Sequence, residues 1–435
     1  MGTREQMVNR IWDSTDLWSD LAELCAFGGR FCGTPSETRA REYLRERLAA
    51  ATGAPVTGRR IGYEGWQREP CRLARLGAGA PPLHGTSLVR SPATPAGGLE
   101  AEVVDLGRGT LEDFRANEAD IDGRIVLVRH EYMFATGHVH RRQKYLWARE
   151  RGAAGFLISS RLPGQSLVTG SSGEGGPDDI PAAGVTQESA AALARVRGRH
   201  AQGRLEIRTR RAPTHTENIL AEIAGRGPEW VVLSAHIDGH DLAQSAMDNA
   251  SGLAVALEVA RALAPFVPAL PRGLRVGFFT LEEWALTGSR IYADSLAPAE
   301  CERIAVNVNL DSVVGSPWLT ALTSGFADLD PLLHEAAAAS GLTLRTFRPL
   351  MPNSDHANFA RRGIPALRLV AGFDEPDSRL RYLLTPADTL DKIAPAELKL
   401  AALLTAEIVL KALTADGPVA AHKTADELRA AGHVQ

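Results

Sequence analysis

The sequence predicts an α/β protein: a mainly parallel, doubly wound sheet flanked by helices, with a smaller β-rich unit inserted ahead of it. Two textures and the stretch between chain regions carry this reading. From Thr216 onward, strand-like apolar runs alternate regularly with longer helical patterns, as in βα units. Between about Ala101 and Thr186 the runs are short, β-rich and punctuated by glycine turns. Ahead of that region "GAGAPPLHGTSLVRSPATPAGG", from Gly77 to Gly98, is dense in Gly, Pro, Ser and Thr and reads as a boundary loop. The expected organisation is an N-terminal helical part of the main domain over 1–70, the insert over 71–212, the rest of the main domain over 213–414, and a polar tail over 415–435.

Early in the chain, "GTPSETRAREYLRERLAATGAP" carries helix signals at both ends. Thr34 can cap it, Pro35 suits the first helical position, Glu37 completes a capping box, and Gly53 stands where a C-terminal cap belongs. In the insert, "AEVVDLG" and "GRIVLVRH" read as strands, and "KYLWARERGAAGFLISS" as a helix, a glycine turn and a strand. The polar loop "TGSSGEGGPDD" then precedes "IPAAGVT". In the main domain, strands are expected at "NILAEIAG", "EWVVLSAH", "GLRVGFFT", "AVNVNLD" and "IPALRLVA". Helices are expected at "SGLAVALEVARALA", "GSRIYADSL", "DPLLHEAAAAS", "HANFARRG" and "PAELKLAALLTAEIVLKAL". No internal repeat is visible.

The chain has 435 residues, 44% of them apolar, enough to bury cores in two or three domains. Its 48 basic and 52 acidic residues leave a net charge of −4, so nothing electrostatic points to nucleic acid or an anionic membrane as partner. Four cysteines, Cys25, Cys32, Cys71 and Cys301, form no CxxC pair, which fits a reducing compartment. The opening residues lack the basic start and apolar run of a signal peptide, and apolar stretches are broken by charge before membrane-spanning length. A cytoplasmic globular protein is the expectation; oligomeric state is not legible.

In an open α/β sheet, ligands bind beyond the carboxyl ends of the strands. Three expected strands end there in histidine or acid: "VVLSAHID" delivers His236 and Asp238, "VGFFTLEE" delivers Glu282 and Glu283, and "VNVNLD" delivers Asp311. Asp248 opens the helix after the first of them. Singly, each acid has a plainer explanation as a helix cap or a solvated charge, and Asp248 before "NASG" would cap well. Jointly, carboxylates converging from separate strands point to a cation, and imidazole with carboxylate is a donor set that suits zinc. Asp238, two residues after His236 on a strand, would share its side and could orient the imidazole from behind.

These residues resemble the co-catalytic zinc aminopeptidase family, which includes bacterial leucyl aminopeptidases, glutamate carboxypeptidase II and glutaminyl cyclase. The resemblance rests on "HID", "DNASG" with its aspartate twelve residues after the histidine, "EE", "NLD" and "SDHANFARRGIPA", in that order. It covers about Thr216 to Thr414. "GRIVLVRH", "ARERGAAGFLISS" and "IPAAGVT" together resemble a protease-associated (PA) domain. The resemblance implies that His236, Asp248, Glu283 and Asp311 are metal ligands, with Asp248 between two zinc ions, His236 and Asp311 on one side and Glu283 on the other. It implies that Glu282 is the general base.

One element departs from the family pattern. Where relatives carry a ligand histidine in a segment like "YHTPADT", this chain reads "RYLLTPADT", with Leu383 and Leu384 at the tyrosine and histidine positions. Leucine cannot bind metal. Three outcomes stay open: a one-zinc hydrolase, replacement of the missing ligand by His356 or His240, or a fold that has lost catalysis. Relatives often carry "SDH", so His356 reads first as structure or pocket wall, and His240 as a loop residue near the pocket. His334 lies in an expected helix and reads as surface or core. The leading function is a zinc-dependent hydrolase of peptide or amide bonds in small substrates, with one or two zinc ions and the PA domain as a lid. A non-catalytic binding or scaffold protein is the alternative. Glutaminyl cyclisation ranks below both, because it relies on the missing histidine.

Overall fold

The computed structural model describes residues 2–164, 166–173, 175–194 and 200–431. Its strands are β1 (Val56–Arg75), β2 (Gly85–Ser87), β3 (Leu99–Asp105), β4 (Ile125–Arg129), β5 (Gly155–Ser159), β6 (Ala182–Val185), β7 (Ala201–Ile223), β8 (Trp230–His236), β9 (Gly273–Phe279), β10 (Ile304–Leu310), β11 (Leu319–Leu322), β12 (Leu344–Phe347) and β13 (Ala366–Ala371). All join one sheet in the order β12-β11-β13-β10-β8-β9-β7-β3-β4-β5-β6-β2, with β1 paired to β7.

The main-domain strands at the centre, β9, β8, β10 and β13, run parallel to their neighbours in that group. Apart from Trp230 their residues are buried, as expected of parallel strands covered on both faces. The helix Ser251–Leu263 is buried nearly all round, because the helices Thr3–Asp13, Asp16–Ala26, Pro35–Thr52 and Pro395–Thr414 pack against it. The helices Thr287–Ser295 and His356–Ala360 pack on each other, the latter also against β10 and β13.

The strands expected from sequence fall on the last residues of β7 and on β8, β9, β10 and β13, while β11 and β12 were not expected. The larger departure is at the N-terminus: residues 56–75 are not part of a helical segment but form β1, antiparallel to β7 over nearly its whole length. Within this strand only Ile61, Trp66 and Leu73 are buried. A two-stranded ribbon with so few inward residues shows no sustained period of two, so the pattern that marks half-buried strands is missing. β7 pairs with β9 at its end and with β3 at its start, so this ribbon carries the sheet from the main domain into the insert.

The helix Pro35–Thr52 begins and ends as expected, with Thr34 accepting from the Glu37 amide at 3.4 Å and Gly53 at φ +66°. Glu37 does not close a capping box. Its buried carboxylate accepts from Thr216 Oγ1 of β7 at 2.7 Å and from Arg41 at 3.1 Å, so it ties helix to sheet instead. Burial pushes its pKa up, against the pull of Arg41. No described helix is long and apolar enough to cross a membrane. In the tail, Ala425–Ala430 is helical, and residues 432–435 lie outside the described residues.

Glu37→Ala removes the buried acceptor that Thr216 and Arg41 share and should cost about 1–3 kcal/mol. Thr34→Ala removes only a cap and should cost about 1 kcal/mol. Urea denaturation of the two variants checks this; a smaller loss for Glu37→Ala would mean the carboxylate does not tie helix to sheet.

Candidate metal centre

Because β9, β8 and β10 are adjacent and parallel, their carboxyl ends open onto one place. β8 ends at His236, the turn after β9 carries Glu282 and Glu283, and Asp311 follows β10 directly. Asp248 sits in the short turn Ala246–Ala250 ahead of the helix Ser251–Leu263, with non-helical φ −116° and ψ 90°. His236 Nε2 lies 3.1 Å from Asp248 Oδ1 and 3.7 Å from Asp311 Oδ1. On the other side of Asp248, His240 Nε2 lies 2.6 Å from Glu283 Oε1.

Two donor groups result, each gathered within 4.8 Å: His236 with Glu282 and Asp311, and His240 with Asp248 and Glu283. Asp248 touches the first group through His236 and belongs to the second. His236 Nε2, His240 Nε2 and Glu283 Oε1 are buried yet make no aligned hydrogen bond, although they approach their neighbours closely. Buried polar atoms normally find partners. Imidazole nitrogens and carboxylate oxygens converging in this way, rather than bonding one another, fit a shared divalent cation, and the donor types suit zinc.

The surrounding residues hold this arrangement. His236 Nδ1 is paired with the backbone carbonyl of Asp238 at 2.9 Å, which leaves Nε2 to face the site. The carboxylate of Asp238 does not touch the imidazole as the sequence suggested. It accepts from the amides of Glu282 and Glu283, both at 3.1 Å, and so fixes the turn bearing both glutamates. β8 ends at His236, so the alternation of sides that the expectation used no longer applies at Asp238. Burial would raise the pKa of Asp311, but Arg368 on β13, with Nη2 3.0 Å from Oδ2, prevails and holds it below the usual range. Burial pushes the pKa of Glu282 up; His236 opposes this, and the charges of Glu283 and Asp311 reinforce it.

Several contributors were given no role from the sequence. Asp388 accepts from the amides of Met247 (2.8 Å) and Asp248 (3.2 Å), so the retained "TPADT" positions the central aspartate. The guanidinium of Arg30, fully buried, donates to the carbonyls of Leu24, Gly28, Ile237, Gln244 and Ser245. Non-glycine residues with positive φ crowd the site: Ser245, Leu281, Ala285, Leu286, Ser312 and Leu384. Backbone held in that region is costly and clusters where function over-determines it.

His356, the replacement ligand considered from sequence, is not brought to either group. It is buried at the start of its helix, where burial and Arg368 push its pKa down to about 3. Leu384 stands at the wall of the site with φ +63°, its carbonyl accepting from the Thr169 amide of the insert at 2.8 Å. A cavity is lined by Asp248, Glu282, Glu283, Asp311 and Leu384, and on the insert side by Phe134 and Arg141. Arg368 stacks on Phe134, 5.1 Å from the ring centre. Arg141 donates from Nε to the Ser171 carbonyl at 2.8 Å and packs on Gly170, where a Cβ would fall 2.3 Å from its Cζ. A wider cleft adjoins the cavity, sharing His140, Arg142 and Asn353 with it.

Comparison with known proteins bears on a site of this kind. The model of peptidase family M28 matches residues 218–409, and the PA domain model matches 89–193. Aminopeptidase YwaD of Bacillus subtilis is 29% identical over 330 residues, 74% of this chain and 69% of that protein. Leucine aminopeptidase 2 of Trichophyton rubrum is 28% identical over 319 residues, 69% of this chain but only 60% of that protein's length. Among solved structures, an aminopeptidase from Aneurinibacillus sp. strain AM-1 superposes with a TM-score of 0.73 at 25% identity, over 97% of this chain and 98% of that one. A peptidase M28 precursor from Shewanella amazonensis gives 0.80 at 24%, also over 97% and 98%. Residues 218–409 are thus similar to peptidase family M28, and residues 89–193, ahead of them, to a PA domain.

Asp388→Ala leaves the two amides before and at Asp248 unpaired, so zinc affinity should fall about 10- to 100-fold. A competitive chelator titration measures this, and unchanged affinity would mean that Asp248 is positioned without Asp388.

Proposed function

We propose that this chain is a zinc-dependent aminopeptidase acting on small peptides. His236, Asp248 and Asp311 would hold zinc, with Glu283 facing Asp248 from the other side. The observation that carries the reading is the place of Glu282. It stands within 4.8 Å of His236 and Asp311 donor atoms, lines the same cavity, and is the member of the paired glutamates not engaged with His240. A binding protein would have no physical need for that second carboxylate. The names of the relatives, aminopeptidases of bacterial and fungal origin, support the same reaction class.

Zinc, when bound, polarises the scissile carbonyl and lowers the pKa of water. The protein's part is proton movement and placement. A Glu282 carboxylate oxygen takes the proton of the attacking water and returns it to the nitrogen of the leaving amine as the C–N bond breaks. Burial and the neighbouring carboxylates, which raise the pKa of Glu282, strengthen it as a proton acceptor. Phe134 and Arg141 cover the reacting centre from the insert, which excludes bulk water and limits what fits. Arg141 and Arg142 line the cavity and form no ion pair among the described residues, which favours a short substrate whose free carboxylate lies close to the scissile bond.

Glu282→Gln should lower kcat on an aminoacyl anilide by about 10²- to 10⁴-fold while zinc content stays unchanged. Loss of zinc together with activity would reassign Glu282 as a ligand. Dialysis against chelator should abolish hydrolysis, and added zinc should restore it. A zinc-loaded protein that cleaves no aminoacyl anilide or dipeptide would leave the non-catalytic binding protein as the reading. Arg141→Ala should raise KM for a dipeptide more than for an aminoacyl anilide, which lacks a carboxylate; equal effects would place the guanidinium outside substrate binding.

A further inference from the structure

We infer that His240 completes a second zinc site with Asp248 and Glu283, taking over from the position that Leu384 leaves without a donor. The inference deepens the zinc reading above and rests on it. His240 Nε2 approaches Glu283 Oε1 to 2.6 Å, and both lie within 4.8 Å of an Asp248 oxygen. The two atoms are buried and not aligned as a hydrogen bond, and Nδ1 of the same ring has no partner either. A histidine placed there only to pair with Glu283 would satisfy at least that bond. A histidine aimed with Glu283 at a third atom need not.

The loop bearing His240 is held from three directions. Arg30 grips the carbonyls of Ile237, Gln244 and Ser245. Arg68 of β1 forms a two-pronged pair with Asp241, both contacts at 2.8 Å, and also reaches Thr169 of the insert at 2.9 Å. The His240 amide donates to Ser245 Oγ at 2.8 Å. Gly29 lies against the loop so closely that a Cβ there would fall 1.7 Å from the His240 carbonyl oxygen. Such a clamp fixes the imidazole's direction, as a metal ligand requires.

The ring therefore enters from the loop after β8, four residues beyond His236, whereas Leu384 lines the cavity from the loop ahead of the helix Pro395–Thr414. The ligand has changed its place in the sequence while its donor atom type, an imidazole nitrogen, is kept.

The test is zinc per chain, by elemental analysis of the full-length protein purified without chelator and dialysed against metal-free buffer. The unaltered chain should hold two zinc ions, His240→Ala one, and the double variant His240→Ala with Leu384→His two again. His356→Ala should keep both. Circular dichroism verifies folding, and His240→Asn takes the place of the alanine variant if that one does not fold. One zinc in the unaltered chain, two in a folded His240 variant, or loss of one in His356→Ala each overturns the assignment. No zinc in the unaltered chain, even after zinc is added back, overturns the zinc reading itself and this inference with it.

Discussion

The constraint on which this molecule turns is the confinement of like charges at the carboxyl edge of three adjacent strands. Asp238, Asp248, Glu283 and Asp311 are buried there, and Glu282 stands beside them. Two unit charges of one sign about 4 Å apart repel by about 4 kcal/mol at an effective dielectric near 20. Several such pairs rival the whole stability of a typical domain. The fold answers each carboxylate differently. Asp238 is given two backbone amides, Asp311 the guanidinium of Arg368, and Asp388 the amides leading to Asp248. Among the described residues Asp248 and Glu283 face histidine edges, and a cation held there would balance what those edges leave.

That demand explains features away from the centre. Arg30 makes five bonds to carbonyls and none to a carboxylate, so its buried charge contributes positive potential while its fork fixes the loop that carries His240. The insert reaches the same place by way of the β1/β7 ribbon. It contributes Phe134 to the stack on Arg368 and the Thr169 amide to the carbonyl of Leu384. The insert is thus fastened to residues adjoining the candidate ligands, which couples its placement to theirs.

The βα rhythm after Thr216 was legible because fully buried parallel strands are continuous apolar runs, and the strands that matter here are of that kind. The gathering of His236, Glu282, Glu283 and Asp311 was legible because strand ends project donors to one edge, and Asp248 from its place at the start of the helix that follows β8. β1 was not, since only three of its residues face inward. Glu37 fitted a capping motif, yet Thr216, distant in sequence, offered its carboxylate a buried partner that a local motif cannot foresee.

The sequence by itself determined the central parallel strands, the order of their charged ends and a leucine at position 384 where the resemblance implies a histidine. These depend on periodicity and residue type, which are local properties. Tertiary structure alone decided that Asp238 serves the glutamate turn rather than His236. It also decided that His356 stays outside both donor groups, and that His240 is the histidine facing Glu283. Those outcomes depend on how loops leave the strands and on what Gly29, Arg30 and Arg68 press against them, contacts between residues far apart in the chain.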